Sequence, residues 1–296
     1  MEEERLKIVS FNCLNKKASK SYYTLEKCDI CKTPGCKDNH YLPWNIDCKN
    51  LQIHRRKHRL NAYFIDIYNN YHGVDIFCLQ EIDSLKTLQN ITDELNEELS
   101  LSVEFRCSWY PRNIDHTDGL AFIYRSDIKV HEIIIKYYDN NNHIIVSYKF
   151  EKYCRLIWII NTQVNYETRI KDITDTLLPF VDSLSPSKCL KIITGDLNAT
   201  KYESWYNDIF NINKKKRDIH DAYNVLPSKR PEFTFFTVKE DQKKVIDYFI
   251  LMNITEYKCG IKRLECSDTK DIRYLPNETI PSDHIPIFIE FTLYIK

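Results

Sequence analysis

Short apolar runs that close on a polar or acidic residue alternate along this chain with stretches of helical period. Leu6-Lys-Ile-Val-Ser-Phe-Asn12 alternates and is β-branched, which predicts a first strand that delivers Asn12 to its end. From Leu51 to Asn70 the spacing becomes helical, with Leu51, Leu60, Phe64 and Ile67 on one face. Val74 to Glu81 reads as a buried strand ending on a carboxylate, and Leu85 to Leu101 as an amphipathic helix over the sheet. Strands are expected at Val103 to Trp109 and Gly119 to Tyr124. Lys129 to Tyr137 and Ile144 to Phe150 predict a hairpin turning through Asp139, Asn140, Asn141 and Asn142. Arg155 to Asn161 is a strongly apolar strand running into Thr162-Gln163, and Ile170 to Leu184 a helix closed by Ser185-Pro186.

Lys191-Ile-Ile-Thr-Gly-Asp-Leu-Asn-Ala199 carries the most chemistry per residue. A buried strand leads to Gly195, which allows a sharp exit, and alternation predicts that Asp196 and Asn198 point the same way. Phe233-Thr-Phe-Phe-Thr237 suits either core packing or base stacking by Phe235. Lys244 to Leu251 is a further strand, with Asp247 set in its middle. An acid there needs a metal, a histidine or a hydrogen-bond network as partner. Glu81, closing its apolar run, favours a metal over a salt bridge for the same reason. Pro281-Ser-Asp-His-Ile-Pro286 leads into a last strand, Ile287 to Tyr294. Strands and helices interleave with no repeat and no linker, so 1–296 reads as a single α/β domain with one irregular insert at about 15–50.

Charge changes the picture only locally. Lys plus Arg and Asp plus Glu both number 42, so any polyanion-binding surface must be a patch. His54-Arg-Arg-Lys-His-Arg59 is such a patch: a solvated helix face, or one where Arg55 or Arg56 touches a phosphate chain. Lys214 to Arg217 is a second basic run, read as solvated. Met1-Glu-Glu-Glu-Arg5 has neither the basic start nor the apolar stretch of a signal peptide, and no segment reaches the roughly 18 apolar residues of a membrane span. With 11 cysteines, an odd number, the expectation is reduced thiols in the cytoplasm or nucleus, not secretion. The insert holds Cys28, Cys31, Cys36 and His40 in the spacing C-x2-C-x4-C-x3-H, with a Pro34-Gly35 turn before the third thiol. That suits a tetrahedral structural zinc stapling a loop without a core; free thiols are the other reading.

Several strand ends carrying Asn, Asp, Glu or His suggest one site built from many strands. Hard carboxylate and amide oxygens suit magnesium or manganese and point to metal-assisted phosphoester cleavage. Should Asp247 lie beside His284, it would favour the imidazolium, which can neutralise a phosphate in the transition state.

In sequence order, Ser10-Phe-Asn12, Leu79-Gln-Glu81, Asn161-Thr162, Gly195-Asp-Leu-Asn198, Ile246-Asp-Tyr248 and Ser282-Asp-His284 resemble the endonuclease/exonuclease/phosphatase superfamily of DNase I-like enzymes. The resemblance implies a four-layer α/β sandwich of two packed mixed β-sheets flanked by helices. It makes Glu81 the principal magnesium ligand with Asn12 beside it, and Asp196 the group that orients or deprotonates water, held by Asn198. Asp247 then supports the site histidine, Asp283 and His284 form the terminal pair with His284 on the phosphate, and Asn161 and Gln163 lie towards substrate. Many members carry histidine after Asn-Thr; this chain has Gln163, which can donate a hydrogen bond but cannot transfer a proton. Asp118-Gly-Leu-Ala121, Ile-Asp-Tyr and Pro-Ser-Asp-His look most like the deadenylase, nocturnin and Angel branch, although Thr234-Phe235 replaces that branch's Thr-Asn. The implied activity is a magnesium-dependent 3′-to-5′ exoribonuclease on single-stranded RNA. A DNA repair endonuclease, a phosphatase or phosphodiesterase on small molecules, and a non-catalytic RNA-binding module are the alternatives.

Overall fold

In the computed structural model the described residues are 3–14, 49–100, 102–112, 118–139, 143–185, 188–212, 218–227, 230–237, 242–257, 259–266, 272, 275 and 280–294. The cysteine-rich insert, with Cys28, Cys31, Cys36 and His40, lies outside them, as does the Lys214–Arg217 run. Arg55 and Arg56 fall on a described helix, but their side chains lie outside the described set.

Two six-stranded mixed sheets form the frame. The first contains β1 (Glu3–Asn12), β2 (Ile76–Ile82), β3 (Phe105–Pro111), β4 (Gly119–Arg125), β13 (Cys259–Cys266) and β14 (Ile287–Tyr294), in the order β13-β14-β1-β2-β4-β3. The second contains β5 (Lys129–Tyr138), β6 (His143–Lys152), β7 (Arg155–Gln163), β8 (Leu190–Asp196), β9 (Ile219–Asp221) and β12 (Asp247–Met252), in the order β5-β6-β7-β8-β12-β9. A small ladder of β10 (Phe235–Thr237) and β11 (Gln242–Lys244) stands apart. Each large sheet has one central parallel pair, β1 with β2 and β7 with β8; the other pairings are antiparallel. The parallel pairs aim their carboxyl ends at the same edge of the molecule.

Alternation along β1 and β2 divides the core in two. Ile8, Ile76 and Cys78 face the second sheet, while Val9, Phe11, Phe77 and Leu79 face the helices α1 (Lys49–Asn70) and α2 (Leu85–Leu99). Leu60, Phe64 and Ile67 of α1, and Leu88, Ile91 and Leu95 of α2, cover that outer face as their spacing predicts. Between the sheets Phe122 meets Tyr148 at 4.4 Å between ring centroids, an aromatic contact worth about 0.5–1.5 kcal/mol beyond its buried area. Ser84 caps α2 by accepting from the Thr87 N–H, and Ser100 in the left-handed region (φ 44°) ends it before Leu101.

Two other expectations shift. The helix expected from Ile170 to Leu184 forms as one run, Arg169–Lys171 through Leu178–Ser183, but with a π-helical turn at Asp172–Leu177. Pro179, which has no N–H to give, sits just past that widened turn. Asp247 opens β12 instead of standing in its middle. The cause is Thr234, whose Oγ1 accepts from the N–H groups of both Ile246 (3.0 Å) and Asp247 (3.1 Å), so the chain bends there before the ladder begins.

No helix among the described residues is long and apolar enough to cross a membrane.

Candidate active site

The strand ends converge. β1 ends at Asn12, β2 carries Glu81, β7 ends at Gln163, β8 ends at Asp196, and Asp247 starts β12 directly opposite Asp196 in register. His284 arrives from the segment before β14.

Each side chain is placed by a specific backbone device. The β2–β4 ladder slips between Leu79 and Ile82, a one-residue bulge that puts Glu81 at φ 58°. A non-glycine residue held in that region costs on the order of 1–3 kcal/mol, and bulges of this kind re-aim a side chain. Gly195, at φ 135°, is required for two reasons. No L side chain favours that backbone, and a Cβ there would stand 1.9 Å from the Thr162 carbonyl oxygen of the neighbouring strand. The residue therefore serves close strand approach as well as the exit from β8. Asn198 then reaches Asp196 by a turn, not by alternation: β8 stops at Asp196, and Asn198 sits at φ 50°. Its N–H donates to Asp196 Oδ1 (2.8 Å), while its side-chain amide donates to the Val164 carbonyl (2.8 Å) and to Asp196 Oδ2 (3.3 Å).

Asn12 joins the two sheets at this edge. Its Nδ2 donates to Glu81 Oε1 and to Asp196 Oδ2, both at 3.1 Å, and its Oδ1 accepts from the Leu14 N–H. His284 is fixed from several sides. Ser282 Oγ donates to the Asn12 carbonyl (2.7 Å) and accepts from the His284 N–H (3.1 Å). The Asp283 carbonyl accepts from Phe236 N, and Ile285 N donates to the Thr234 carbonyl, tying the segment to β10. The His284 imidazole then places Nδ1 3.0 Å from Asp247 Oδ2, and Nε2 3.8 Å from Asp196 Oδ2 and 4.0 Å from Asp283 Oδ1. Asp247 thus lies beside His284. Phe235 packs its ring on the imidazole at 4.9 Å and is half-buried, while Phe233 and Phe236 are core residues.

Gln163 and Asn161 divide their duties. Gln163 donates to Glu81 Oε1 (2.6 Å) and accepts from the Arg112 guanidinium, which also lies 3.3 Å from Asp118 Oδ1. Asn161 is fully buried and turned away from the cleft: its Nδ2 donates to the carbonyls of Leu79 and Ala121, both at 3.0 Å, and its Oδ1 accepts from Gln80. It is a strut from β7 to the opposite sheet. Sequence reasoning passed over Arg112, which follows the half-exposed strand β3 and so ends no buried apolar run that would have marked it. Ser282 and Thr234 stand in motifs that the sequence marks, but it does not mark their positioning roles, because a positioning hydroxyl has no sequence signature of its own.

The electrostatics follow from burial. Asp196 is 2% exposed, and its carboxyl is pushed up to about 7, by burial first and then by the nearby Asp247 and Glu81 charges, against His284 and the Asn198 N–H. Burial works against the charge on His284, but Asp247, Asp196 and Asp283 outweigh it and push the imidazolium up to about 10. Ligand atoms of Asp196, Asp247 and His284 all lie within 4.8 Å of one another. Asp247 is already committed to the imidazole, so the side of Asp196 that faces Glu81 is the better place for a cation. There two carboxylates meet, hard-oxygen donors with excess negative charge that fit a small divalent cation, while Asn12 turns its Nδ2 and not its Oδ1 towards them.

The comparisons agree with this geometry. Residues 44–284 match the model of the Endonuclease/Exonuclease/phosphatase family. The probable CCR4-Not complex 3′-5′-exoribonuclease subunit Ccr4 of Vairimorpha ceranae (strain BRL01) is 25% identical over 275 residues, covering 75% of this chain and 55% of that protein. The chain thus spans little more than half the length of that relative. Among solved structures, the human nocturnin catalytic domain superposes with a TM-score of 0.64 at 16% identity, covering 99% of this chain and 97% of that one. ANGEL2, described as a 2′,3′-cyclic phosphatase, gives 0.67 at 15% identity, covering 99% and 97%. At such identities the two structures speak to the fold, which is the expected sandwich of two mixed sheets with helices. The family match spans most of the chain and takes in every strand-end motif from Glu81 to His284: the chain belongs to the endonuclease/exonuclease/phosphatase family.

Proposed function

We propose that this chain is a divalent-metal-dependent phosphodiesterase, and that it degrades single-stranded RNA from the 3′ end. The observation that carries the reading is the pairing of two buried groups with opposite tasks. Asp196 is held near neutrality by its surroundings, and His284 is held charged by Asp247. The choice of RNA is supported by the resemblance to the Ccr4 subunit, which is named a 3′-5′-exoribonuclease.

The Asp196 carboxylate takes a proton from the attacking water. Without a cation, burial and its acidic neighbours raise this carboxyl to about 7, towards the range of an effective general base, and a cation beside it would keep it ionised at neutral pH. The Asn198 N–H and the Asn12 and Asn198 amides aim its two oxygens, so the base does not rotate during the transfer. His284 keeps its proton and presents Nε2–H on the same side, where it offsets charge gathering on the phosphate oxygens. Gln163 holds Glu81 in place and brings the fixed charge of Arg112 to one amide's distance from it. Glu81, with Asp196 beside it, would hold magnesium or manganese, which when bound supplies positive charge to polarise the phosphate; Asn12 would join them as a ligand only by turning its Oδ1 inward, away from the Leu14 N–H. Neither Gln163 nor Arg112 can release a proton to the leaving group at neutral pH, and His284 keeps its own, so protonation there falls to solvent.

The test is a substrate panel with magnesium or manganese: poly(A), mixed-sequence RNA, abasic duplex DNA and small phosphoesters. Stepwise shortening of the RNAs, abolished by EDTA and by Asp196→Asn, is the expected result. A single nick in abasic DNA with RNA intact would make the chain a repair endonuclease. Phosphate release from a small ester alone would make it a phosphatase, and RNA binding without turnover a non-catalytic module.

A further inference from the structure

We propose that Tyr166 and Lys244 form a second nucleotide subsite outside the catalytic centre, where the ring stacks on one base of a single strand and the ammonium meets its phosphate. The inference rests on the nuclease reading and deepens it: it makes an oligonucleotide, and not a lone nucleotide or small ester, the preferred substrate.

Tyr166 is 56% exposed, so most of its ring contributes nothing to the core. Yet its position is tightly held. Two residues before it, the Val164 N–H donates to the Asp196 carbonyl (2.9 Å) and the Val164 carbonyl accepts from Asn198 Nδ2 (2.8 Å). Asn165 Oδ1 then accepts from the Glu167 N–H (2.9 Å), a side-chain turn that fixes the tip carrying the ring. Arg169 lies 4.6 Å from the ring centroid, and its guanidinium is itself anchored by Glu203 at 2.9 Å. A water-exposed aromatic two residues past Val164, which is tied by two hydrogen bonds to the Asp196–Asn198 turn, is built as a platform.

Lys244 supplies the second half. Its Nζ lies 5.7 Å from the Tyr166 ring and, among the described residues, pairs with no carboxylate, whereas Arg169 is neutralised by Glu203. In the β10–β11 ladder Lys244 stands opposite Phe235, whose ring lies on His284. From the catalytic imidazole outward, the rim therefore runs aromatic, cation, aromatic: Phe235, Lys244, Tyr166. That alternation suits a strand whose bases stack and whose phosphates follow between them. A surface cation–π pair kept only for stability is the competing account, and it would be worth about 0.5–1 kcal/mol.

The test compares a single-stranded RNA decamer with bis(p-nitrophenyl) phosphate. Tyr166→Ala is expected to raise KM for the decamer about tenfold with a smaller change in kcat, as loss of one stacked base implies. The ratio of kcat/KM on the decamer to that on the small diester then falls by the same order, and Tyr166→Trp restores it. Lys244→Gln is expected to lower the slope of log affinity against log salt by about 0.7, the value for one contact to a single strand. A ratio within twofold of wild type for Tyr166→Ala overturns the proposal, and a lowered melting temperature with that same ratio assigns Tyr166 to stability. Should wild type cleave the diester but no RNA, the nuclease reading fails, and the subsite is judged by anisotropy with labelled RNA on Asp196→Asn. A tenfold loss of affinity on adding Tyr166→Ala supports it; equal affinity sinks it.

Discussion

The same pair of sheets carries a buried charge cluster at each end, and the two are built on opposite terms. At the amino ends of β2 and β7, Asp75 accepts from the Lys7 N–H (2.8 Å) and pairs with Lys152 of the other sheet (2.6 Å) and more loosely with Arg125 (3.7 Å). Burial lowers the pKa of Lys152, but the Asp75 carboxylate opposes it, and with Asp127 pairing Arg125 at 2.8 Å the cluster closes with two acids against two cations. At the carboxyl ends Asp196, Asp247 and Asp283 gather around one imidazole, and Glu81 is joined to Asp196 through the Asn12 amide. There the charges do not match, and the pKa values of Asp196 and His284 are displaced as a result. The matched end pins the sheets together. The unmatched end is held by the fold in a state that a cation and a phosphate would complete.

The sharpest way to break the comparison is to neutralise one acid at each end. Asp196→Asn is expected to lower turnover about 10³-fold, within the usual range for loss of a general base, and to leave the metal-free protein as stable as wild type or more so. Asp75→Asn should do the reverse. Leaving Lys152 buried without its partner costs roughly 3–5 kcal/mol, while kcat per folded molecule is retained. Urea unfolding and single-turnover cleavage on both variants separate the two outcomes.

A second prediction concerns pH. Folding raises Asp196 from 3.8 to about 7 and His284 from 6.5 to about 10, so the folded state binds more protons than the unfolded one across that window. The stability these protons confer is fully present below the unfolded values and is lost as pH rises through about 7 and then about 10. The melting temperature of the EDTA-treated protein should therefore fall from neutral to alkaline pH. His284→Gln should remove the upper part of that fall, and Asp75→Asn should leave it in place. A melting temperature that rises over the same window would contradict the assignment. The smallest effect belongs to Arg112→Gln. It removes a fixed charge without touching Asp196 or His284, and a loss of severalfold in kcat/KM is expected, with the pH profile unmoved.

The strand ends were the legible part. Asn12, Glu81 and Asp196 could be marked because an apolar run that stops on a polar residue suggests a site at a sheet edge, whereas Ser282-Asp-His284, which leads into a strand, was marked by its residue types and by the family resemblance. Less visible was how each residue is turned. The bulge that puts Glu81 in the left-handed region depends on the β4 partner strand, which local alternation does not report. Asn198 reaches Asp196 by a turn and not by strand periodicity, and Asp247 moves to a strand start because a hydroxyl 13 residues away takes its N–H. Asn161 looked like a substrate contact and proves to be a strut, since its neighbours in the opposite sheet decide which way it faces.

The central claim is that the cluster around Asp196 and His284 cuts RNA from its 3′ end with a divalent cation. It is tested most directly by incubating 5′-labelled single-stranded RNA with magnesium and the wild-type chain or Asp196→Asn, and resolving the products with time. A ladder shortening one nucleotide at a time with wild type, and intact RNA with the variant, is the predicted result. Intact RNA with both, or the same ladder from both, would contradict it.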